Sequence, residues 1–388
     1  MLRIGIDADP ANVRDAAGIE VYVHRILGAL GRIDRENLYH LYLRGAPRPD
    51  FPRLPENFRI RVIPLPLFWH QARLPLAQFE DRNDILFLPV HRVPVVPIRT
   101  PIVATVHDTA FLHRPQSYPP GRRLYLKVST RILAQRAERI IAISESTAAD
   151  VARDYPWTAG RVAIIHQGWD RCLSEPVPPQ DIARVREKYG LHRPYLLTIG
   201  ALRPGKNLRR LIEAFSLVVH GSPASSGSSS PDGAAWSPIE SHDLVLAGKE
   251  DWPHGATREA VYRNGLVDRV HLTGYVPRDE LMAILQGATA HVFPSLHEGF
   301  GLPALEAMGA GVPSLVSREG SLPEIVGDAA LAFDAESSVE MADCMRRVIT
   351  DAPLREGLIR AGRARAEKFS WEETARRTLD VFQQAARG

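Results

Sequence analysis

The sequence predicts an α/β protein made of two consecutive doubly wound halves. Short apolar runs alternate with stretches of helical periodicity, the pattern of a parallel sheet covered by helices. A proline-rich stretch, "SEPVPPQ" at 174–180, breaks that rhythm, which then begins again. The length of 388 residues suits two domains, at roughly 150 residues per domain.

In the first half the strand-like runs are "LRIGID", "YHLYL", "RIRVIPL", "DILFLP", "PIVATVHD", "RIIAIS" and "RVAIIHQG". Helical patterns cover 19–30, 122–138 and 146–154. The second half reads "PYLLTIG", helix 208–219, "HDLVLAG", "RVHLTG", helix 279–286, "AHVFPS", helix 303–308 and "PSLVS". A last helix covers 371–386. The expected domains are 1–175 and 176–370. Within the second, Gly221–His242 is rich in Ser, Gly and Pro, cannot bury a core, and is expected to be a flexible surface loop. With two such halves, the expected ligand site is the cleft between them.

Composition bounds the function. Apolar residues make up 45% and charged residues 24%, as in ordinary soluble globular proteins. Residues 1–175 hold 24 of the 48 basic and 18 of the 45 acidic side chains, so positive charge gathers in the first half. That asymmetry favours an anionic acceptor or a phospholipid surface. No dense basic run interleaved with aromatics appears, which argues against nucleic acid. Two cysteines, Cys172 and Cys344, are too few for a disulfide framework or a cysteine metal site. The chain opens on a strand rather than a signal peptide, and no run of about 18 apolar residues is present. The expected location is the cytoplasm, with the inner membrane face as a peripheral position.

The most informative stretch is "HEGFGLPALEAMGAG". It places Glu298 before a Gly-Phe-Gly turn and Glu306 about one turn inside the helix that follows. Gly299 and Gly301 let other atoms approach the backbone, and Pro303 suits the first turn of a helix. The helix N-terminus favours an anion, most naturally phosphate. Two carboxylates would repel that phosphate on contact, so they are better placed to accept hydrogen bonds from hydroxyls on either side of it. A ligand with a central phosphate and polyols at both ends is a nucleotide sugar.

"TIGALRPGKN" repeats the strand–loop–helix layout and puts Arg203 and Lys206 on the loop, where cations neutralise phosphate. An ordinary charged surface loop accommodates the same residues. "GFGLPA" also fits the dinucleotide fingerprint, but it lies near the end of a unit instead of in its first turn, and Glu298 would crowd a pyrophosphate. "DAD" at Asp7–Asp9 matches a metal-holding D-x-D pattern, yet it ends the first strand, where Asp forms turns, and no metal is expected. His107 follows "PIVATV" at a strand's C-terminal end, where functional groups gather. The segment 122–139 mixes Leu124, Val128, Ile132 and Leu133 with six basic residues. It reads either as a core-packed helix with a solvated basic face or as a contact with an anionic membrane.

Together these segments resemble family 4 glycosyltransferases, over nearly the whole chain. The most specific parts are "HEGFGLPALEAMGAGVPSLVSREGSLPEIVGDAALAFD", with the family's E-x7-E at Glu298 and Glu306, and "TIGALRPGKN"; "AGIEVYVHRIL", "TVHDTAF", "IAISESTAADV" and "TGYVPRDEL" add support. The resemblance implies the GT-B fold, two facing Rossmann-like domains about a cleft, with the final helix (371–388) packing back on the first. It implies a diphosphate on Arg203 and Lys206, ribose on Glu306, and sugar hydroxyls on Glu298 with the Gly299, Phe300, Gly301 and Leu302 backbone. The base would lie near Tyr275 and Val276, Gly18 would approach the phosphate, and His107 would lie beside the transferred sugar. The family often has Gly-Gly where this chain has Ala17-Gly18. "SLPEIVGDAA" looks most like mannosyl- and glucosyltransferases of surface-polysaccharide assembly.

The expected activity is therefore a retaining, metal-independent transfer of a hexosyl group from a GDP- or UDP-sugar to a glycan or lipid-linked acceptor, without a cofactor. The rivals are an epimerase of the same fold, a glycan phosphorylase, for which no pyridoxal-phosphate lysine is evident, and a nucleotide-sugar-binding protein without turnover.

Overall fold

The computed structural model describes residues 1–14, 18–65, 67–91, 93–221, 237–250 and 255–387. The chain forms two compact units, one of residues 1–168 with 369–388 and one of residues 169–368.

The first unit holds a parallel sheet of β1 (Arg3–Asp7), β2 (Leu38–Leu43), β3 (Phe58–Val62), β4 (Ile85–Leu88), β5 (Ile102–Val106), β6 (Arg139–Ala142) and β7 (Val162–Ile164). Its order is β3-β2-β1-β4-β5-β6-β7. The chain winds outward one way from β1 and then returns to place β4 on β1's other side, which opens a crevice at the C-terminal ends of β1 and β4. One face is covered by helices Ile19–Ile33 and Trp371–Arg387, whose Tyr22, Ile26, Trp371 and Phe382 share a buried cluster with Ile4, Ile6 and Phe87. The Phe87 and Phe382 rings meet edge-on at 5.1 Å. The opposite face buries Leu74 and Ala77 from helix Leu74–Asp81, Leu133 from helix Pro120–Arg136, and Ala137 just after it.

The second unit repeats the plan with β8 (Tyr195–Ile199), β9 (Asp243–Ala247), β10 (Val270–Gly274), β11 (Ala290–Phe293), β12 (Ser314–Ser317) and β13 (Leu331–Phe333), ordered β10-β9-β8-β11-β12-β13. All its pairings are parallel. The crevice here lies at the ends of β8 and β11. Helix Leu208–His220 buries Leu211, Ile212, Phe215 and Val218 against β8, β9 and β11, and helix Ser338–Thr350 adds Met341, Met345 and Val348.

The division falls at Gly168/Trp169, ahead of the proline-rich stretch. Trp169 explains why. Its ring is buried in the second unit, its Nε1 donates to the Ala366 carbonyl (2.9 Å), and Gly309 leaves room for it. Residues 173–177 are likewise held by Gln286, whose amide donates to the Leu173 and Glu175 carbonyls and accepts from Val177 N–H.

Of the Ser/Gly/Pro-rich segment, 222–236 lie outside the described residues. Beyond them the chain is fastened. Ile239 N–H donates to the Val218 carbonyl (2.9 Å), Arg346 donates to that of Ser237 (2.7 Å), and His242 bonds Thr289 (3.1 Å). Among the described residues no helix is long and apolar enough to cross a membrane.

Gly309 gives a test of the packing. An added Cβ would lie 2.4 Å from the Trp169 ring. Gly309→Ala should therefore lower stability by about 1–3 kcal/mol, read as a fall in thermal midpoint. An unchanged midpoint would mean that Trp169 does not anchor the second unit.

Candidate active site

In the second unit the expected donor residues lie along the C-terminal rim of the sheet. After β8 the chain turns at Gly200 (φ 139°), pressed against Gly248 (φ 158°), where a Cβ would meet the Gly200 carbonyl oxygen at 1.9 Å. The loop then carries Arg203, which is exposed, and a single 3-10 turn, Pro204–Lys206. Asn207, at φ 56°, opens helix Leu208–His220 and donates from its amide to the Ala335 carbonyl (2.7 Å). Leu296 N–H donates to the Gly205 carbonyl (2.9 Å), which laces the loop after β8 to the loop after β11.

That lacing joins two residues with opposite expected tasks. The Lys206 ammonium donates to Glu298 Oε1 at 2.5 Å, and both side chains are largely buried. Lys206 Nζ also stands 4.5 Å from the Phe293 ring centroid, a cation–π contact that helps hold it in place. Beneath them His291 is fully buried on β11, and neither ring nitrogen has a hydrogen-bond partner. Burial and then the nearby Lys206 charge push its pKa down to about 3, so it stays neutral.

The Gly-Phe-Gly turn is clamped from the segment after β12. The Glu298 carbonyl accepts from Ser321 N–H (3.1 Å) and from Ser321 Oγ (3.0 Å). Gly320, at φ 61°, allows this, because a Cβ there would lie 2.4 Å from the Glu298 oxygen. Gly301, at φ 93°, caps helix Leu302–Gly309 and lies against Leu322, and Pro303 stands in the first turn. Phe300 is 3% exposed, so its side chain belongs to the packing and only its backbone is available to a ligand. Glu306 is half-buried one turn into the helix. At the end of β10, Tyr275 is exposed with Lys249 Nζ 5.2 Å from its ring centroid, and Val276 is buried.

Two expected residues belong to the first unit. Gly18, at φ 40°, accepts from Tyr22 N–H (3.0 Å) at the start of helix Ile19–Ile33; Ala17 lies outside the described residues. His107 follows β5 and is buried. Its Nε2 faces the Pro89 carbonyl at 2.8 Å and must therefore carry the proton. The His107 N–H donates to Nε2 of His91 (3.0 Å), so that nitrogen is bare. Burial lowers the pKa of both rings to about 4. Tyr22 packs edge-on against His107 at 4.9 Å. His107 is thus a neutral, positioned imidazole rather than a cation.

Three of the four carboxylate oxygens of "DAD" are engaged, and the buried Asp7 Oδ1 has no hydrogen-bond partner. Asp7 is bound by His70 Nε2 (3.0 Å), and Asp9 accepts from Arg44 N–H (2.9 Å) and pairs with its guanidinium (3.3 Å).

Comparisons with known proteins fit this geometry. Residues 16–171 match the model "Glycosyltransferase Family 4", and residues 181–365 match "Glycosyl transferases group 1". The O-antigen chain mannosyltransferase B of Escherichia coli is 30% identical over 72% of this chain and 69% of its own. The chain belongs to glycosyltransferase family 4. The longer E. coli mannosyltransferase WbdA is 29% identical over 79% of this chain, which spans about a third of WbdA (36%). HepE of Anabaena, solved with UDP and glucose, superposes with a TM-score of 0.74 at 18% identity, over 99% of both chains. This family 4 glycosyltransferase has the GT-B fold, a Rossmann-like sheet in each unit.

Sequence reasoning located Glu298 and Lys206 but not their pairing, nor the role of Gly320 and Ser321 in holding the turn. The short "EGS" after β12 was the available signal, since Gly followed by Ser suits a tight turn with a side-chain donor.

The buried histidines set an acid limit. Unfolded, each takes a proton near pH 6.5; folded, His91 and His107 resist until about 4 and His291 until about 3. Their contribution to stability is full above about pH 6.5 and is lost as pH falls through that window. Thermal midpoints should drop from pH 7 to pH 4, and His91→Gln should flatten the slope. An identical slope in the variant would contradict the neutral assignment.

Proposed function

We propose that this glycosyltransferase moves a hexosyl group, mannosyl by preference, from a nucleoside-diphosphate sugar to a glycan or lipid-linked acceptor in surface-polysaccharide assembly. The observation that carries the reading is the Lys206–Glu298 ion pair at the crevice of the second sheet, beside a glycine turn that opens a helix. The mannosyl preference is supported by the relatives' names, and a nucleoside-diphosphate-linked donor by the UDP and glucose held by HepE.

In this reading the donor exchanges the ion pair for two new contacts. Lys206, with Arg203, turns to the diphosphate, and Glu298 is released to accept hydrogen bonds from sugar hydroxyls. Glu306 takes the ribose, Tyr275 and Val276 border the base, and the Gly299–Leu302 backbone lines the phosphate. Gly18 approaches the diphosphate, and His107 offers its bare Nδ1 to a hydroxyl of the transferred sugar. As the anomeric carbon–phosphate oxygen bond breaks, negative charge grows on the leaving diphosphate, where Arg203, Lys206 and the helix N-terminus stabilise it. The acceptor hydroxyl forms its bond to the anomeric carbon on the same face and passes its proton to the departing phosphate oxygen, which retains configuration. Asp9 is held by Arg44 and one oxygen of Asp7 by His70, which supports transfer without a metal. Helix Pro120–Arg136, basic and without acidic side chains, supports a peripheral contact with an anionic membrane.

A panel of GDP- and UDP-sugars, scored by released nucleotide with and without acceptor, tests the activity. GDP-mannose should lead. Interconversion of the sugar without release would favour the epimerase instead. EDTA should leave the rate unchanged, and Mn²⁺-reversible inhibition would return Asp7 and Asp9 to a metal role.

The residue roles separate in variants. Lys206→Ala should cost about a hundredfold in kcat, on the order of 3 kcal/mol. Glu306→Gln should weaken nucleoside-diphosphate binding. Glu298→Gln should instead tighten it, by removing the carboxylate that competes for Lys206, while turnover falls. Calorimetric titration paired with initial rates reads all three, and equal loss of affinity in both glutamate variants would overturn the division of labour.

A further inference from the structure

The second unit holds a cavity of about 530 Å³ at the edge of its sheet that the donor residues do not occupy. Pro194, His242, Thr289 and Pro313 border it, and each stands immediately before a strand: β8, β9, β11 and β12. The cavity therefore lies at the N-terminal edge of the sheet, opposite the rim that carries Lys206 and Glu298. Ligands of doubly wound sheets sit at the C-terminal rim, so this is a separate place. Helix Leu302–Gly309 runs between the two edges. It begins at the glycine turn, and Ala310 and Gly311, just past its end, line the cavity.

A further wall is one side of helix Ala352–Ala366. The stretch "REGLIRAGR" sets Arg355, Ile359 and Arg363 four residues apart, which puts them on one face of the helix. All three line the cavity. The adjoining face, Leu358, Gly362 and Ala366, is buried, and a Cβ on Gly362 would lie 3.2 Å from Met308. The helix is thus fixed by one face and presents two guanidinium groups on the next.

Those groups have donors to spare. Arg355 Nη1 donates to the Val348 (2.8 Å) and Ile349 (3.3 Å) carbonyls at the end of helix Ser338–Thr350, where a cation suits the helix dipole. That contact holds the guanidinium in place and leaves Nη2 and Nε without a partner among the described residues. Arg363 lies over Gly311 (φ 77°), where a Cβ would collide with the guanidinium. Its side chain makes no hydrogen bond or ion pair among the described residues. No carboxylate lines the cavity, and the acids nearest in sequence are engaged elsewhere. Asp243 is bound by Arg269 (2.9 Å) and His271 (2.9 Å), Asp351 accepts from Leu354 N–H (2.9 Å), and Glu356 pairs with Arg360 (4.0 Å). Burial, and then the Arg355 charge, lower the pKa of His242. Its ring, bonded to Ser241 Oγ (2.8 Å) and Thr289 Oγ1 (3.1 Å), is therefore neutral, and the positive charge on the lining belongs to the arginines.

We propose that this cavity binds a small organic phosphate, with its phosphate on Arg355 and Arg363 and its carbon skeleton along Val312, Ile349 and Ile359. A guanidinium fork matches phosphate with paired, charge-assisted hydrogen bonds. The volume falls within the range of small-molecule sites, roughly 300–1,000 Å³. The inference does not rest on the transfer chemistry, because binding is read without turnover.

The full chain is titrated calorimetrically with glycerol 3-phosphate and ribose 5-phosphate, with glycerol and ribose as uncharged controls. The phosphates should bind and the controls should not. Arg363→Gln should weaken binding by about tenfold. It should leave the thermal midpoint in place, since that side chain bonds nothing else in the fold. Arg363→Glu should abolish binding by setting a carboxylate on the lining. Lys206→Ala should leave the affinity unchanged, which locates the phosphate away from the opposite rim. Failure of both phosphates to bind, equal binding of phosphates and controls, unchanged affinity in Arg363→Gln, or a loss confined to Lys206→Ala would overturn the proposal.

Discussion

The ion pair between Lys206 and Glu298 is the contact on which the rest of the second unit converges. Each partner follows a different strand, β8 and β11, and those strands are adjacent only because the winding reverses between them. Two largely buried charges need each other, since either one left unpaired in such a place is costly. Yet a permanent pair would keep Lys206 from phosphate and leave that task to Arg203. The exchangeable pair proposed above resolves this, since the ligand supplies a replacement partner for each member.

The surroundings are arranged to keep that exchange short in range. Glu298 is pinned through its backbone by Ser321, and Gly320 leaves the space for that contact, so its carboxylate can change partners while its main chain stays. Phe293 gives Lys206 an aromatic face, and the neutral His291 beneath adds no competing charge. The first unit follows a related principle with a different outcome. There the Pro89 carbonyl fixes the proton on His107 Nε2 and the His107 backbone N–H keeps His91 Nε2 bare, which presents a neutral imidazole at the end of β5.

Much of this was legible in the sequence because parallel α/β architecture writes itself in alternating apolar runs and helical periods. The long strands and the helices 208–219 and 371–386 read clearly for that reason; in the structure the latter two run Leu208–His220 and Trp371–Arg387. Strand β13 did not, because its three residues run straight into Asp334, whereas Ile165 extends the apolar run of the equally short β7. Helices Ser338–Thr350 and Ala352–Ala366 carry a signal in their caps, where the Ser337 and Asp351 side chains accept hydrogen bonds from Glu340 and Leu354 N–H. In Ala352–Ala366 the cap is a local signal that outweighs a weak apolar period. The site was legible as residue types and turn chemistry around Glu298 and Lys206. Their union was not, since nothing within either segment encodes which strand lies beside it. Nor could composition separate the buried ring of Trp169, which sets where the second unit begins, from the prolines that follow it.

The central claim is that donor binding breaks one charge pair and makes two new contacts. A crystal structure of the chain with a bound nucleoside-diphosphate sugar tests it most directly. The account predicts Lys206 Nζ on a phosphate oxygen and the Glu298 carboxylate on a sugar hydroxyl, with the Glu298 carbonyl still held by Ser321. A donor seated in the same crevice with Lys206 and Glu298 still joined, and neither touching it, would contradict the account.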